Sequence, residues 1–408
     1  MTSVPDNDAF ESAKAFFLEG LADLEAGRFE AAEARFLDSL ARVPGRVSTL
    51  INLAATRLAL SRPQAAMETA QQVLAIEPGN VEASLHQATA LGLLGRHAEA
   101  LAAHEQVLAL GGPAGPTWLR HGQTLQALDR PSLALASYDR ALAADPTLAQ
   151  AWSNRGGILR EMHRIGEAAD AFRQAMAHGA DPDLHAYYLA SLGAAAVPAT
   201  APARYVETLF DDYAEGFDAH LVGTLRYRAH ITLTAPIAAL GRAPFSAALD
   251  LGCGTGLCGP LVKPLVQRLE GVDLSTAMLA KAEALGVYDR LTHGDIVEHL
   301  QTTQERHALV LAADVFIYIG DLDPVFAGVR RVIEPGGLFC FSAELADSEK
   351  QDFQLLTSLR YAQSGRYLRA LAQRHGFEVL RWTHAPIRED QRASVPGVFA
   401  YLVATGAA

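Results

Sequence analysis

The residues best suited to chemistry lie close together in the second half of the chain. From position 250 the sequence reads Asp250-Leu-Gly252-Cys253-Gly254-Thr-Gly256, an acid followed by alternating glycines. Directly after a short apolar run (Ala247 to Leu251), such glycines make a turn whose bare backbone lets a nucleotide-like ligand lie against a helix N-terminus. A second acid closes another apolar run in Glu270-Gly-Val-Asp273-Leu274-Ser275, where a carboxylate can accept both hydroxyls of a ribose. A third, in Gly294-Asp295-Ile296, can accept the exocyclic amine of an adenine. Acids in this order describe a site for an adenosine-bearing molecule.

The glycine spacing narrows the ligand. Dinucleotides are met by G-x-G-x-x-G, which cradles their pyrophosphate, whereas here the pattern is G-x-G-x-G behind an acid. S-adenosylmethionine has no pyrophosphate to neutralise; its ammonium group needs negative or carbonyl partners, and Asp250 at the mouth of the turn offers one. The ribose argument serves NAD equally, so a Rossmann-like domain for a different nucleotide stays open on these residues alone.

Holding these groups requires a sheet. Apolar runs that read as strands are Ala247 to Leu251, Arg268 to Val272, Leu291 to His293, Ala308 to Ala312, Leu338 to Ser342 (behind Pro335-Gly336-Gly337), Phe377 to Thr383 and Val398 to Thr405. Interleaved with helical segments they predict a doubly wound α/β sheet. No helix-length segment separates the last two, so they are expected to pair antiparallel, an ending that a dehydrogenase lacks. An acidic, aromatic helix (Tyr205 to Leu221) and a second helix to about Leu240 precede the first strand.

The first 180 residues obey a different period. Ala32, Ala66, Ala100, Ala134 and Ala168 recur every 34 residues, with small residues twelve before (Gly20, Ala54, Ala88, Gly122, Gly156) and large apolar ones eight after (Leu40, Leu74, Leu108, Leu142, Met176). Aromatic residues stand four after the alanine in part of the rows (Phe36, Tyr138, Phe172), and Pro44, Pro78 and Pro146 share a column. Small residues let antiparallel helices approach, large ones fill the holes beside them, and proline stops the second helix. Gly27 and Gly95 suit the turn inside a pair. This all-α pattern resembles the tetratricopeptide repeat, five copies over about 13 to 180. The resemblance implies a superhelix that binds peptides or partner proteins. A scaffolding or self-association role is the alternative. With Lys14 the single lysine before residue 180, the lysine-based carboxylate grip of some relatives finds little support.

From about 205 to 408 the chain resembles the class I S-adenosylmethionine-dependent methyltransferases, and more narrowly the bacterial predicted methyltransferases that carry tetratricopeptide repeats. The segments carrying the narrower resemblance are Leu209-Phe-Asp-Asp-Tyr213-Ala-Glu-Gly-Phe217-Asp218-Ala-His220-Leu221, Ala312-Ala-Asp314-Val-Phe-Ile-Tyr318 and Tyr361-Ala-Gln-Ser364-Gly-Arg366-Tyr367-Leu. It implies a seven-stranded Rossmann-like sheet with an antiparallel last strand. It also implies that Gly252, Cys253, Gly254 and Gly256 line the methionine half of the cofactor, with Asp250 near the ammonium. Asp273 and Leu274 would meet the ribose, and Asp295 and Ile296 the adenine. Met278 would pack on the adenine ring or simply in the core.

Groups for the methyl acceptor are harder to assign. In-line displacement at a sulfonium needs alignment and desolvation above all, and a general base only where the nucleophile is protonated. No Asn-Pro-Pro-Tyr or Asp-Pro-Pro-Tyr follows the fourth strand; Asp314 and Tyr318 stand there instead. Asp314 could hold an amine, act as a base, or cap the next helix. His220, with Tyr213 on the same lid helix, is a candidate base or a structural histidine. Arg226 and Arg228 are candidates for the cofactor carboxylate or ordinary surface arginines, and His384 is a weaker candidate.

The bounds agree with this reading. The expected organisation is a repeat domain at 1–192 with a capping helix (Leu184 to Leu192), an Ala/Pro linker at 193–203, and the methyltransferase domain at 204–408. The formal charge of −12 is spread over both halves, without the basic footprint of a nucleic-acid binder. Cys253, Cys258 and Cys340 show neither metal-ligand nor disulfide spacing. No run reaches the roughly 20 apolar residues of a membrane span, and the acidic N-terminus is not a secretory signal, so a cytoplasmic protein is expected. The function expected is methyl transfer from S-adenosylmethionine, with the repeats recruiting a protein or peptide substrate or partner. Its rivals are a small-molecule O- or N-methyltransferase whose repeats only assemble, and a non-enzymatic cofactor-binding adaptor.

Overall fold

The computed structural model describes residues 7–214, 227–240, 243–390 and 393–406. The chain divides into two compact units, Met1–Ala180 and Asp181–Ala408.

The first unit consists of helix pairs: α1 (Asn7–Glu25) with α2 (Phe29–Arg42), α3 (Val47–Ala59) with α4 (Pro63–Ile76), α5 (Val81–Leu93) with α6 (His97–Ala109), α7 (Ala114–Ala127) with α8 (Pro131–Ala144), and α9 (Ala149–Glu161) with α10 (Ile165–Ala177). Every alanine of the 34-residue column is fully buried. The small-residue column has a specific cause. A Cβ on Gly20, Gly122 or Gly156 would stand 2.6, 2.5 or 2.6 Å from the ring of Phe36, Tyr138 or Phe172. Where neither phenylalanine nor tyrosine stands there, the small residue is alanine: Ala54 goes with Ala70, and Ala88 with His104.

A further column escaped the sequence reading. The residue that turns the chain within each pair has positive φ at Gly27, Ser61, Gly95, Asp129 and His163, again every 34 residues. An arginine follows each one (Arg28, Arg62, Arg96, Arg130, Arg164). Only two of the five are glycine, so the signal was diluted by residues that accept the left-handed conformation at some cost.

The second unit is a seven-stranded sheet flanked by helices. Its strands are β1 (Phe245–Leu251), β2 (Val266–Asp273), β3 (Arg290–His293), β4 (His307–Ala312), β5 (Ile333–Glu344), β8 (Phe377–Asp390) and β9 (Ala393–Ala404), in the order β3-β2-β1-β4-β5-β9-β8. The first five run parallel, while β9 lies antiparallel to both β5 and β8. All seven predicted strands are present, and the closing hairpin is antiparallel as the missing helix implied. A two-stranded ribbon of β6 (Phe353–Leu355) and β7 (Tyr361–Gln363) was not foreseen. One sheet face packs Phe316, Phe326, Phe339 and Phe341; the other packs Leu269, Leu309, Leu338 and Phe399.

The two units meet at 180/181, ahead of the expected linker at 193–203. Helix α11 (Pro182–Ser191), read as a cap on the repeats, packs instead within the second unit. The Tyr187 hydroxyl donates to the Leu359 carbonyl at 2.7 Å, and Tyr187 shares a buried cluster with Leu355 and Tyr361. The expected linker is likewise bound. Gly320 N–H and Asp321 N–H both donate to the Ala199 carbonyl, Ala201 N–H donates to the Tyr318 carbonyl, and Tyr361 donates to the Pro198 carbonyl at 2.9 Å. Alanine and proline spaced this stretch, but its carbonyls found donors and it became a strap. It leads into α12 (Ala203–Tyr213).

Candidate functional site

The parallel strands end together, and the loops after them enclose a cavity of about 450 Å³. Strand β1 delivers Asp250, which is buried. The chain then turns through Gly252, Gly254 and Gly256, with φ of 62°, 55° and 89°. These glycines do different work. At Gly252 a Cβ would press on Val315 at 2.6 Å, so the close approach of two loops requires glycine there. At Gly254 a Cβ would meet nothing within 4 Å, and Gly254 lines the cavity. Gly256 is placed differently: it is not among the cavity-lining residues, and its Cβ would stand 2.8 Å from Leu285 Cδ1. It serves the packing of the turn.

Asp273, at the end of β2, faces that turn. Its carboxylate accepts from Gly254 N–H at 2.8 Å and from Ser275 N–H at 2.9 Å, one bond to each oxygen. Both oxygens keep lone pairs for further donors. Ser275 caps α15 (Thr276–Ala284) by accepting from Met278 N–H, and it is tied to Asp211 of α12. Met278 is buried and lines the cavity, as does Leu274. Asp295 caps α16 (Ile296–Thr302), where its Oδ1 accepts from Val297 and Glu298 N–H at 2.8 and 3.0 Å. Asp295, Ile296 and Cys253 also face the cavity.

Burial sets the charge states. It pushes the Asp250 carboxyl up to about 7, against the hydrogen bond from Tyr288 and with a lesser contribution from Asp273. It raises Asp273 as well, opposed by the backbone bonds it accepts. The thiols of Cys253 and Cys258 are pushed well up by burial and by the charge of Asp250, which keeps them as neutral packing groups.

The opposite wall carries Asp314 and Tyr318. Asp314, after β4, is held at a φ of 59°, with its N–H donated to Ser342 Oγ on β5 at 2.8 Å. Its carboxylate accepts from Arg388 of β8 at 3.1 and 3.2 Å, and Arg388 also pairs with Glu344 at the end of β5. The helix-cap reading of Asp314 is thereby corrected: the following turn (Phe316–Tyr318) has Val315 as its cap, with no side-chain bond. Tyr318 packs edge-on against Phe210 of α12 at 5.5 Å, and burial pushes its hydroxyl up to about 12. Arg360 lines the same wall, and Tyr227 stacks on His230 nearby at 5.4 Å.

Among the other candidates, His220 and Arg226 lie outside the described residues. Arg228 is exposed, preceding α13 (Ala229–Thr234), and is not among the cavity-lining residues. His384 is exposed within β8. The sequence reading missed Tyr288, Arg388, Glu344 and Arg360. Arg388 was hidden because β8 runs seven residues beyond its apolar start, to Asp390 rather than Thr383.

Residues 248–337 match the family model described as "Methyltransferase domain". Human methyltransferase-like protein 27 is 32% identical over 150 residues, covering 35% of this chain and 59% of that protein. The malonyl-[acyl-carrier protein] O-methyltransferase of Hamiltonella defensa is 32% identical over 103 residues, covering 25% of this chain and 40% of its own. The chain thus spans less than two thirds of the length of these curated relatives. A solved S-adenosylmethionine-dependent methyltransferase from Clostridium acetobutylicum aligns with 48% of this chain and all of its own, at 17% identity and a TM-score of 0.38. A tetratricopeptide-repeat protein of Thermus thermophilus aligns with 42% of this chain and 93% of its own, at 22% identity and a TM-score of 0.35. The segment that matches the methyltransferase-domain model holds the glycine turn, Asp273, Asp295 and Asp314 on a sheet that ends in an antiparallel strand, behind a first unit of helix pairs that repeat every 34 residues.

Proposed function

We propose that this protein binds S-adenosylmethionine in the cavity of its second unit and transfers the methyl group to an acceptor held against Asp314 and Tyr318. The observation that carries the reading is Gly254, whose missing side chain opens on the cavity while its N–H orients Asp273. The residues suit the cofactor. About 450 Å³ lies within the range of small-molecule sites. Asp273 retains acceptor capacity for two ribose hydroxyls, and Asp295 Oδ2 stays available for an adenine amine. Asp250, with a carboxyl near neutrality, can pair with an ammonium. When bound, the cofactor supplies a methyl carbon on a cationic sulfur. The surrounding chain orients the acceptor and excludes water, which strengthens each electrostatic contact in the site.

The repeats recruit a protein or peptide substrate or partner in this reading, supported by their likeness to an interaction fold and by their self-contained core. Calorimetry with S-adenosylmethionine tests the cofactor; no binding, or NADH bound in its place, sinks the assignment. Incubation with labelled cofactor and cell extract tests transfer. Label in macromolecules supports recruitment, label in the small-molecule fraction favours a small acceptor, and binding without release of S-adenosylhomocysteine favours an adaptor.

A further inference from the structure

Arg388 is the most deeply buried cation in the second unit that faces the cavity, 3% exposed, and no glycine-loop motif accounts for it. It enters from β8, the far strand of the sheet, and meets Asp314 from β4 and Glu344 from β5. A buried ion pair of this kind is weak evidence for stability, since well-packed apolar residues serve as well. What it does accomplish is placement. Asp314 is in a left-handed conformation that a non-glycine residue adopts at a cost, and its backbone is pinned by Ser342, itself fully buried. Strain held by three strands at the wall of a cavity marks a side chain whose direction matters.

We propose that Arg388 is a positioning residue that fixes the Asp314 carboxylate toward the methyl acceptor, and that the acceptor class this wall takes is a hydroxyl or an amine bearing a proton to lose. The inference rests on the methyltransferase reading above. In the transfer, the lone pair of the acceptor oxygen or nitrogen forms the bond to the methyl carbon. The carbon–sulfur bond breaks with its electron pair left on sulfur, and the acceptor proton passes to Asp314. A carboxylate acceptor would bring a third negative charge to a wall where Asp314 and Glu344 already share Arg388 and Arg360 is the other arginine.

Among the described residues, the groups facing Asp314 are Arg388 on β8, Glu344 on β5, Arg360 before β7, Tyr318 after β4 and Tyr227 before α13. Burial raises the Asp314 carboxyl, and Arg388 and Arg360 draw it back. Losing Arg388 therefore moves the proton affinity of Asp314 upward, and with it the acidic limb of activity.

The test uses the full chain, with labelled S-adenosylmethionine and cell extract as acceptor source. In Arg388→Met, kcat should fall at least tenfold. Its acidic limb should shift to higher pH, while cofactor affinity stays within about twofold of wild type. Arg388→Lys should restore part of both. A direct reading needs no turnover: with ¹³Cγ-labelled aspartate, the signal missing from Asp314→Asn should titrate higher in Arg388→Met, or in Arg388→Lys if the methionine variant is unfolded by thermal melting. An unmoved limb or unmoved Asp314 titration overturns the positioning role, and base-labile methyl ester as the labelled product overturns the acceptor class. Absence of cofactor binding in the wild type would instead fell the methyltransferase reading itself.

Discussion

The hydroxyl of Tyr288 donates to the buried carboxylate of Asp250 at 2.7 Å, joining the loop after α15 to the strand that feeds the glycine turn. That single bond favours the charged form of a group that burial drives the other way.

Its pH dependence follows from the direction of the shift. The folded-state value of Asp250, near 7, lies above its ordinary 3.8, so the folded protein holds an extra proton between those limits. The stability that Asp250 contributes is full below the lower limit and lost as pH rises through the upper one. In the cofactor-free protein, Asp250→Asn, which mimics the protonated carboxyl, should therefore gain in melting temperature relative to wild type as pH rises from 5 to 8. Tyr288→Phe should carry that change to higher pH. A difference independent of pH would show that Asp250 is ionised throughout.

The last two glycines of the turn should separate by phenotype. Gly254→Val points a side chain into the cavity and should abolish cofactor binding by calorimetry while the helical circular dichroism stays near wild type. Gly256→Val drives a branched carbon against Leu285 at positive φ, and should destabilise the second unit by about 2 to 5 kcal/mol in denaturant titration.

Asp273→Asn keeps the shape of the side chain but loses the charge offered to ribose hydroxyls. Affinity for S-adenosylmethionine should fall at least tenfold, since hydrogen bonds to charged groups are worth about 1.5 to 3 kcal/mol each. Unchanged affinity would place the ribose elsewhere.

A fragment of 181–408 should fold and bind cofactor with nearly full affinity. One beginning at 197 lacks α11, and with it the Tyr187 bond to Leu359 and its share of the aromatic cluster, so it should melt several degrees lower. Equal labelling of the same species in cell extract by the 181–408 fragment and the full chain would refute recruitment by the repeats.

Much of this architecture was legible because period is a physical signal. Alanine columns and apolar runs mark faces that must be buried, and they located every strand of the main sheet and the helix pairs. Chemistry on the glycine side was legible for a related reason: Asp250 and Asp273 stand in the last residues of their strands and Asp295 just beyond its own, at the edge where ligands gather. The opposite wall was not. Arg388 stands in a stretch of alternating charge that local pattern reads as loop, and only the length of the β8–β9 hairpin carries it inward. Helix α11 misled for a different reason. Its aromatic residues fit a repeat cap by spacing, and their true partners, Leu355, Leu359 and Tyr361, lie more than 160 positions away.

The exchange between glycine with an aromatic ring and alanine with a smaller partner has a consequence for how the repeats can vary. Adding a methyl at Gly122 first would force it into the ring of Tyr138, while trimming that ring first would leave a void, at about 3 to 5 kcal/mol for a full truncation. Either intermediate is less fit than both ends, so a row crosses between the two states only by a paired change, or with stability to spare. The rows of this array accordingly hold glycine with phenylalanine or tyrosine, or alanine with a smaller side chain, and none pairs alanine with phenylalanine or tyrosine.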